Sequence, residues 1–364
     1  MKLSKIFALS AVFACGLTLA SCGEKPTPEP TAEPTAQPTV EPTTQPSTGT
    51  SAKVSVGLGY AGSYSWKETY GQLDLSAAMV AFDEAGKILD ARIDVVQVKV
   101  EVGTDGGLAL KTSREDNTVA TKLELGLGYG MQGVSNIGLE VDEQIENFAD
   151  WTVGKTVEEV KTLVDPTKGH GTAHHPDLEA TCTISCGDFV SALERAYSLK
   201  TEAKYEAASF KAGIAMVAGL AYNYGQPKTD ISVDLGGSIV ADGKVVAAQV
   251  DAVVVPTTIA EGVISVNSAQ KYVAEDGSFK SKKVLGDAYA MAEHNGGQAG
   301  CALEWYEQAA IIEAAAEGKT EAEISALVKN EGDLAGATIT LDSYVKAMAT
   351  SAKYAEMTLV SPRA

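Results

Sequence analysis

The segment "TISCGDFVSAL" at residues 183–193 returns late in the chain as "TITLDSYVKAM" at residues 338–348. Four of the eleven positions are identical, and three more exchange Ser for Thr, Phe for Tyr or Leu for Met. In both copies a threonine and a few polar residues precede apolar side chains at helical spacing. The pattern predicts a helix in each half, with a threonine just ahead of it and with Asp188 and Ser343 as the N-caps.

Three further pairs of segments occur in the same order in both halves. They are "GKILDARIDVV" (86–96) with "GKVVAAQVDAV" (243–253), "LGLGYGM" (125–131) with "LGDAYAM" (285–291), and "GKT" at 154–156 with "GKT" at 318–320. The first pair follows apolar runs and predicts β-hairpins with glycine at the turn. The "GKT" pair lacks the earlier glycine of a phosphate loop. It predicts instead a helix that ends at Gly154, followed by a capping box of Thr156 and Glu159, and a second capping box of Thr320 and Glu323.

Matched segments separated by loops of different length predict a duplicated α+β domain. We expect the copies to span residues 54–204 and 205–358, each with antiparallel strands followed by helices, and a tail over 359–364. A period near 155 residues is that of a whole domain and excludes a solenoid built from short repeats.

The N-terminus carries the features of an export signal over residues 1–21, where Lys2 and Lys5 precede a short apolar core. The following "LASC" (19–22) resembles the lipobox of bacterial lipoproteins, which implies that Cys22 is acylated. An ordinary cleaved signal or a stop-transfer helix is the alternative. Residues 22–53 form a Pro/Thr-rich linker that we expect to stay unfolded as a stalk.

The acidic composition limits the possible partners. The chain has 29 basic and 48 acidic side chains, which argues against nucleic acid and anionic lipid surfaces. Beyond the signal and Cys22, the cysteines are Cys182, Cys186 and Cys301; the first two could form a bridge or stay free. The loop with His170, His174 and His175 is a weak metal candidate, and we predict no metal site.

A threonine before a helix has two interpretations. It can cap the helix, or its hydroxyl can carry a phosphoester whose charge the helix amides stabilise. The segments "DLEATCT" (177–183) and "DLAGATIT" (333–340) resemble the attachment motif of FMN-binding domains, in which a flavin transferase moves FMN from FAD onto the last threonine of the motif. The wider chain is similar to the tandem FMN-domain lipoproteins of Gram-positive bacteria, including the pheromone-precursor lipoproteins.

This resemblance implies up to two covalent FMN groups, on Thr183 and Thr338. The motif residues that support the attachment would be Asp177, Asp333, Gly336 and Ala337. Each copy departs from the family pattern. The first has Ala180-Thr181-Cys182 where Ser-Gly-Ala is expected, and Asp333 of the second stands one residue too near its threonine.

The resemblance further implies an electron carrier rather than an enzyme with its own substrate. Such a protein would be lipid-anchored on the extracytoplasmic face of the bacterial cell membrane. Its partners would be an FAD-dependent flavin transferase, a membrane electron donor and an extracellular acceptor. The alternative is a solute- or polymer-binding, or adhesion, surface lipoprotein without flavin.

Three residue types recur ahead of the threonine in both copies and are candidates for contact with the flavin. Packing in the core is the alternative for the tyrosines and methionines, and solvation is the alternative for the lysines. They are Lys122, Tyr129 and Met131 in the first copy and Lys282, Tyr289 and Met291 in the second.

Overall fold

The computed structural model describes residues 53–165, 175–206, 209–221, 227–294, 302–328 and 331–357. All of them belong to one compact unit, Pro46–Ala364. The predicted signal, the lipidation site at Cys22, the linker before residue 53, His170, His174, Cys301 and the tail lie outside the described residues. Among the described residues, no helix has the length and apolar character needed to cross a membrane.

The strands of the described residues form two antiparallel sheets. The first sheet has the order β4-β3-β2-β1-β5 and the second has the order β6-β7-β8-β9. Consecutive strands pair within each sheet, so each half of the chain contributes a four-stranded meander. The strands are β1 (Lys53–Trp66), β2 (Gly71–Phe82), β3 (Ile88–Val102), β4 (Leu108–Leu110), β5 (Thr201–Glu206), β6 (Lys211–Leu220), β7 (Asp230–Ala241), β8 (Lys244–Ala260) and β9 (Val263–Val266).

The α-helices follow the strands in both halves, so the described part of the chain is α+β. After each meander comes a short helix, then two helices joined by a glycine turn, and then a long last helix; among the described residues, the second half has one more short helix, α6, before its helix pair. They are α1 (Lys122–Leu125), α2 (Val141–Thr152), α3 (Val157–Leu163), α4 (Gly187–Ser198), α5 (Lys282–Leu285), α6 (Met291–His294), α7 (Trp305–Ala316), α8 (Glu321–Ser325) and α9 (Asp342–Glu356).

The two sheets pack face to face and share one hydrophobic core. Side chains alternate along each strand, so one face of β2 carries Leu75 and Met79 into the core that Leu235 of β7 also enters. The opposite face of β2 presents Val80 and Phe82 to α2, α3 and α4. The outer face of the second sheet packs in the same way against α7, α8 and α9. Helices therefore cover both outer faces of a two-sheet sandwich.

Side chains join the edges of the two sheets. Gln249 of β8 accepts a hydrogen bond from the backbone N–H of Leu58 at 2.6 Å. Asp90 of β3 accepts one from the N–H of Ala212 in β6 at 2.7 Å. These bonds satisfy edge groups that would otherwise be exposed to further strand pairing.

Glycines allow the last helix of each half to lie directly on its sheet. A Cβ at Gly57 or Gly59 would overlap carbonyl oxygens of α4, and a Cβ at Gly213 would overlap the carbonyl oxygen of Ser351 in α9. No side chain fits between these backbones. The helices are thus fixed at short distance above β1 and β6, and the threonine segments that precede them are fixed with them.

Most local predictions are confirmed. The turn of the second hairpin is made by Asp242 and Gly243, both with positive φ, and Gly86 has φ +79° in the first. Gly154 has φ +82° after α2, and both predicted capping boxes are present, at Thr156 and Thr320.

The predicted N-caps Asp188 and Ser343 are wrong. Helix α4 begins at Gly187 and α9 at Asp342, so both residues lie inside the first turn. The capping positions are taken by Cys186 and Leu341, and neither makes a side-chain capping bond. The tight packing of these helices on glycines explains why they form without a capping side chain.

Candidate functional site

The threonine segment of the second half is held by one buried glutamine. Oε1 of Gln308, on α7, accepts hydrogen bonds from the backbone N–H of Thr338 at 2.7 Å and of Ile339 at 3.1 Å. The Thr338 hydroxyl donates to the same oxygen at 3.2 Å. A carbonyl oxygen has two lone pairs, so the two backbone groups alone satisfy it. The hydroxyl is therefore not needed to hold the segment in place.

Thr183 has the same arrangement with Gln144 of α2. Oε1 of Gln144 accepts from the backbone N–H of Thr183 at 3.0 Å and from its hydroxyl at 3.3 Å. In both halves the amide group of the glutamine donates to a backbone carbonyl, that of Leu139 or Leu303, at 3.1 Å. Neither threonine caps the helix that follows, so the capping interpretation of these residues is wrong.

The two threonines differ in their surroundings. Thr183 is buried, with 5 % of its surface exposed, and its hydroxyl also lies 3.4 Å from Oδ1 of Asn136. Thr338 is only partly buried and opens into a cavity of about 1210 Å³. Small-molecule pockets in proteins typically enclose roughly 300–1,000 Å³. The space beside Thr338 is therefore large enough for a cofactor with several fused rings.

This cavity brings together the sequence-predicted residues of the second half. Lys282, Tyr289 and Met291 line it together with Thr338. Trp305, Tyr344 and Asp234, which were not predicted, line it as well. Its remaining walls come from the end of β6, from Lys228 to Ser232, and from residues 105–118 of the first half.

Lys282 stands among aromatic rings inside this cavity. Its Nζ lies 5.6 Å from the ring centroid of Tyr289, 5.5 Å from that of Trp305 and 5.9 Å from that of Tyr344. The same ammonium donates to the Tyr344 hydroxyl at 3.2 Å. Burial lowers the pKa of Lys282, and the nearby carboxylates of Asp234 and Asp251 oppose that effect. The solvated-lysine alternative is therefore wrong for Lys282.

Asp251 holds the start of α5 in place and thereby fixes the position of Lys282. It is 1 % exposed, and its Oδ1 accepts from the backbone N–H of Ala252 at 2.7 Å and of Lys283 at 3.1 Å. The second bond orders the first turn of α5, which starts at Lys282. Burial raises the pKa of Asp251, and the hydrogen bonds to Ser281 and the charge of Lys283 oppose it.

Lys122 is placed in the same way in the first half, with fewer aromatic neighbours. Its Nζ lies 5.2 Å above the Tyr129 ring, and burial lowers its pKa against the charges of Asp74 and Asp94. Asp94 is fully buried, and its Oδ1 accepts from the backbone N–H of Leu123 at 3.0 Å. The positions of Trp305 and Tyr344 are occupied here by Val141 and Phe189.

The Tyr–Met segments are tied to the helix that carries the glutamine. Glu140, the N-cap of α2, accepts from the backbone N–H of Met131 at 2.8 Å, and Glu304 before α7 accepts from that of Met291 at 2.9 Å. The Met131 and Met291 sulfurs lie 3.5 and 3.4 Å from the glutamine amide nitrogens. Tyr129 and Met131 also pack against the core of the first half, and Tyr289 and Met291 against that of the second.

The acidic residues of the motif lie on the surface. Asp177 is exposed and contacts Nε1 of Trp151 at 3.4 Å, and Asp333 pairs with Nζ of Lys319 at 2.7 Å. Neither is among the described residues that line the cavity. Each lies in a 3-10 turn just before the threonine segment, with a buried leucine beside it.

Gly336 explains part of the difference between the two motifs. It has φ +95°, in a region that favours glycine, and it directs the chain towards buried Ala337 and then Thr338. The first half has Thr181 here, without positive φ, followed by the buried Cys182. The backbone therefore reaches Thr183 along a different path, with one more residue after the motif aspartate.

Cys182 and Cys186 are free thiols and both are buried. Their sulfurs are 3.7 Å apart, a contact rather than a bond. The side chains at the matching positions of the second half are Ala337 and Leu341, which are buried too. Core packing accounts for all four. Among the described residues, no group of three His, Cys, Asp or Glu side chains could hold a metal ion.

Several residues that organise the site were not predicted from the sequence. Gln144 and Gln308, Glu140 and Glu304, and the buried aspartates Asp94 and Asp251 occur in both halves. The signal was present, since "EQ" stands at the start of both middle helices and an aspartate near the middle of both third strands. Spacing alone could not show that these side chains reach the threonine and the lysine.

No family model matches the chain, and no solved structure matches it. A chlorophenol reductase of Desulfitobacterium hafniense is 30 % identical over 121 residues. The matched region spans 30 % of this chain and 37 % of that protein, so the chain corresponds to less than half the length of this relative.

Proposed function

We propose that the chain is a flavoprotein that carries FMN on Thr338, and by the same arrangement on Thr183, through a phosphoester to the threonine hydroxyl. One observation carries the proposal: Thr338 opens into the same large cavity as Lys282, Tyr289 and Met291. Lys282, Tyr289 and Met291 recur in both halves of the sequence, and Thr338 stands in the segment that resembles the attachment motif.

The residues present fit such a group. The hydroxyl of Thr338 is available, because the backbone of the segment is held by Gln308 without it. The cavity has aromatic walls at Tyr289 and Trp305 against which a ring system can pack. Lys282, which lines the cavity, places an ammonium group within 6 Å of both ring centroids. Covalent attachment also removes the need for tight reversible binding, which suits a cavity as open as this one.

Bound FMN would supply one- and two-electron transfer, and the protein would tune and hold it. Gln308 positions the attachment residue, and Glu304 positions the Tyr–Met segment beside it. Lys282 places positive charge in the cavity and thereby stabilises negative charge that develops on a bound group.

We further infer that the two halves arose by duplication of one FMN-binding-type domain. Apart from the additional short helix α6 in the second half, the order of meander, short helix, helix pair and last helix is the same in both, and so are the glutamine and glutamate contacts. Together with the "LASC" segment and the Pro/Thr-rich linker, this supports an electron carrier anchored on the extracytoplasmic face of a bacterial membrane. An FAD-dependent flavin transferase would load it, and a membrane donor and an extracellular acceptor would exchange electrons with it.

Mass spectrometry of the protein co-expressed with an FAD-dependent flavin transferase tests this proposal. The denatured protein should retain flavin fluorescence, and the Thr338→Val variant should lose the flavin attached to its peptide. Thr340→Val is the matched control, because Thr340 is an exposed neighbour that also lines the cavity. Thr183→Val and Thr181→Val make the same comparison in the first half.

Two outcomes would contradict the proposal. Flavin that is lost on denaturation would show binding without a covalent bond. A colourless protein after co-expression with an active transferase would favour a surface lipoprotein that binds a solute or polymer, or mediates adhesion, without flavin.

A further inference from the structure

Residues of the first half form one wall of the cavity in the second half. Leu108, Ala109, Leu110, Ser113, Asp116 and Thr118 line the same space as Thr338 and Lys282. They belong to β4 and to the segment between β4 and α1. The site beside Thr338 is therefore not built by the second half alone.

This wall, defined here as residues 108–118, is fastened to the second half at both ends. At one end the backbone N–H of Leu108 donates to the carbonyl oxygen of Lys228 at 2.6 Å. Just past the other end, the N–H of Val119 donates to the carbonyl oxygen of Ala218 at 2.9 Å. Because two backbone bonds fix its ends, the wall can move only between them.

An ion pair fixes the wall between these ends. Oδ2 of Asp116 lies 2.6 Å from Nζ of Lys346 on α9. This pair lowers the pKa of Asp116, chiefly through the hydrogen bond from Lys346. Lys346 follows Ser343 and Tyr344, which also line the cavity. The pair thus joins the wall to the helix that starts just after the threonine segment.

We propose that wall 108–118 is a binding element for the cofactor of the second half, and that the Asp116–Lys346 pair positions it. The inference rests on the proposed function, because it concerns the group attached at Thr338. It adds that each half is not an independent carrier: the second site is completed across the boundary between the halves.

A substitution that fills the cavity from the wall tests the inference in the full-length protein co-expressed with flavin transferase. Ala109→Trp places a large ring in the cavity from the side of the first half. Ala269→Trp is the matched control: Ala269 also stands thirteen residues before the first lysine of its short helix, is exposed and lies outside the cavity lining. Flavin on the Thr338 peptide should fall about tenfold or more in Ala109→Trp and less than about twofold in Ala269→Trp.

The ion pair provides a second test that does not depend on the folding of Ala109→Trp. Asp116→Lys and Lys346→Asp each place like charges side by side, and the double exchange restores an opposite pair. Each single variant should increase quenching of the Thr338 flavin by neutral acrylamide about 1.5-fold or more, and the double variant should return it to the wild-type value. A merely structural effect on the surface would not be reversed in this way.

The outcomes separate this inference from the proposed function. Wild-type protein without flavin on Thr338 would overturn both. Normal flavin content in a folded Ala109→Trp variant would overturn only the role of the wall. If Ala109→Trp does not fold, unchanged quenching in both single charge variants, or failure of the double exchange to restore it, would overturn the inference.

Discussion

Replacement of Gln308 is the most direct test of how the Thr338 segment is held in place. In Gln308→Leu the apolar side chain keeps the volume on α7 but offers no acceptor to the N–H groups of Thr338 and Ile339 and no donor to the Leu303 carbonyl. Ile339 is buried, with 8 % of its surface exposed, so water cannot readily replace the lost partner there. Thr338 opens into the cavity, and water can reach its N–H group.

The expected cost follows from this difference. A buried hydrogen-bonding group left without a partner costs about 1–3 kcal/mol, and the groups at Ile339 and Leu303 meet that description more closely than the one at Thr338. We therefore expect the free energy of unfolding to fall by about 2–4 kcal/mol. Flavin on the Thr338 peptide should be lost as well, because the hydroxyl no longer has a fixed position.

Denaturant unfolding measures the first effect and peptide mass spectrometry the second. Gln144→Leu is the matched variant in the first half, with the same change beside Thr183. It should destabilise the protein to a similar extent but leave flavin on Thr338 unchanged. Normal flavin content on Thr338 in a folded Gln308→Leu variant would refute the positioning role of Gln308.

Three further predictions concern charge and packing. Burial raises the pKa of Asp94 from 3.8 to about 7, so the folded state binds a proton more tightly and loses stability as the pH rises from about 4 to about 7. Asp94→Asn should reduce this pH-dependent decrease in the free energy of unfolding by up to about 4 kcal/mol, measured by denaturant unfolding across this pH range. The same pH dependence in the variant and the wild type would contradict the prediction. Lys282→Met should lower the flavin reduction potential by on the order of tens of millivolts in a spectroelectrochemical titration, whereas Lys353→Met, on the exposed side of α9 and outside the cavity lining, should not. Gly57→Ala should destabilise the protein by about 1–3 kcal/mol because its Cβ would overlap the Ala196 carbonyl, whereas Gly187→Ala, with open space around it, should not; equal thermal midpoints would refute the close-packing argument.

The local fold could be predicted from the sequence because the patterns that decide it lie within a few residues of one another. The glycines after α2 and α7 and the Thr-x-x-Glu boxes are decided within a few residues, and the structure has both. The prediction of Asp188 and Ser343 as N-caps was wrong because long-range packing determines where α4 and α9 begin. Gly57 and Gly213 let these helices settle on their strands, a contact between residues more than 130 positions apart.

The site was readable only in part for the same reason. Lys282, Tyr289 and Met291 could be predicted because they recur at equal spacing in both halves, and Thr338 because of the motif and the helix that follows it; all four line one cavity. A comparison of the two halves could not select Trp305 or Tyr344, whose counterparts are Val141 and Phe189. Nor could it find the wall from the first half, because nothing in the order of the segments shows that the loop before α1 faces the other half.

The polar residues that recur in both halves are buried, and burying them costs free energy of folding. Asp94, Asp251, Gln144 and Gln308 are each at most 4 % exposed, and burial of polar groups opposes folding unless every partner is in place. Oδ2 of Asp94 is buried with no hydrogen-bond partner. Apolar residues of similar volume would serve packing alone at lower cost. Since the same set holds a lysine and a threonine in place in each half, positioning those two side chains explains its presence better than stability does. The positions that differ between the halves, by contrast, change the shape and aromatic character of the space beside the threonine. A chain whose two halves keep these positioning residues and differ in the residues around the threonine is suited to holding one kind of group in two different environments.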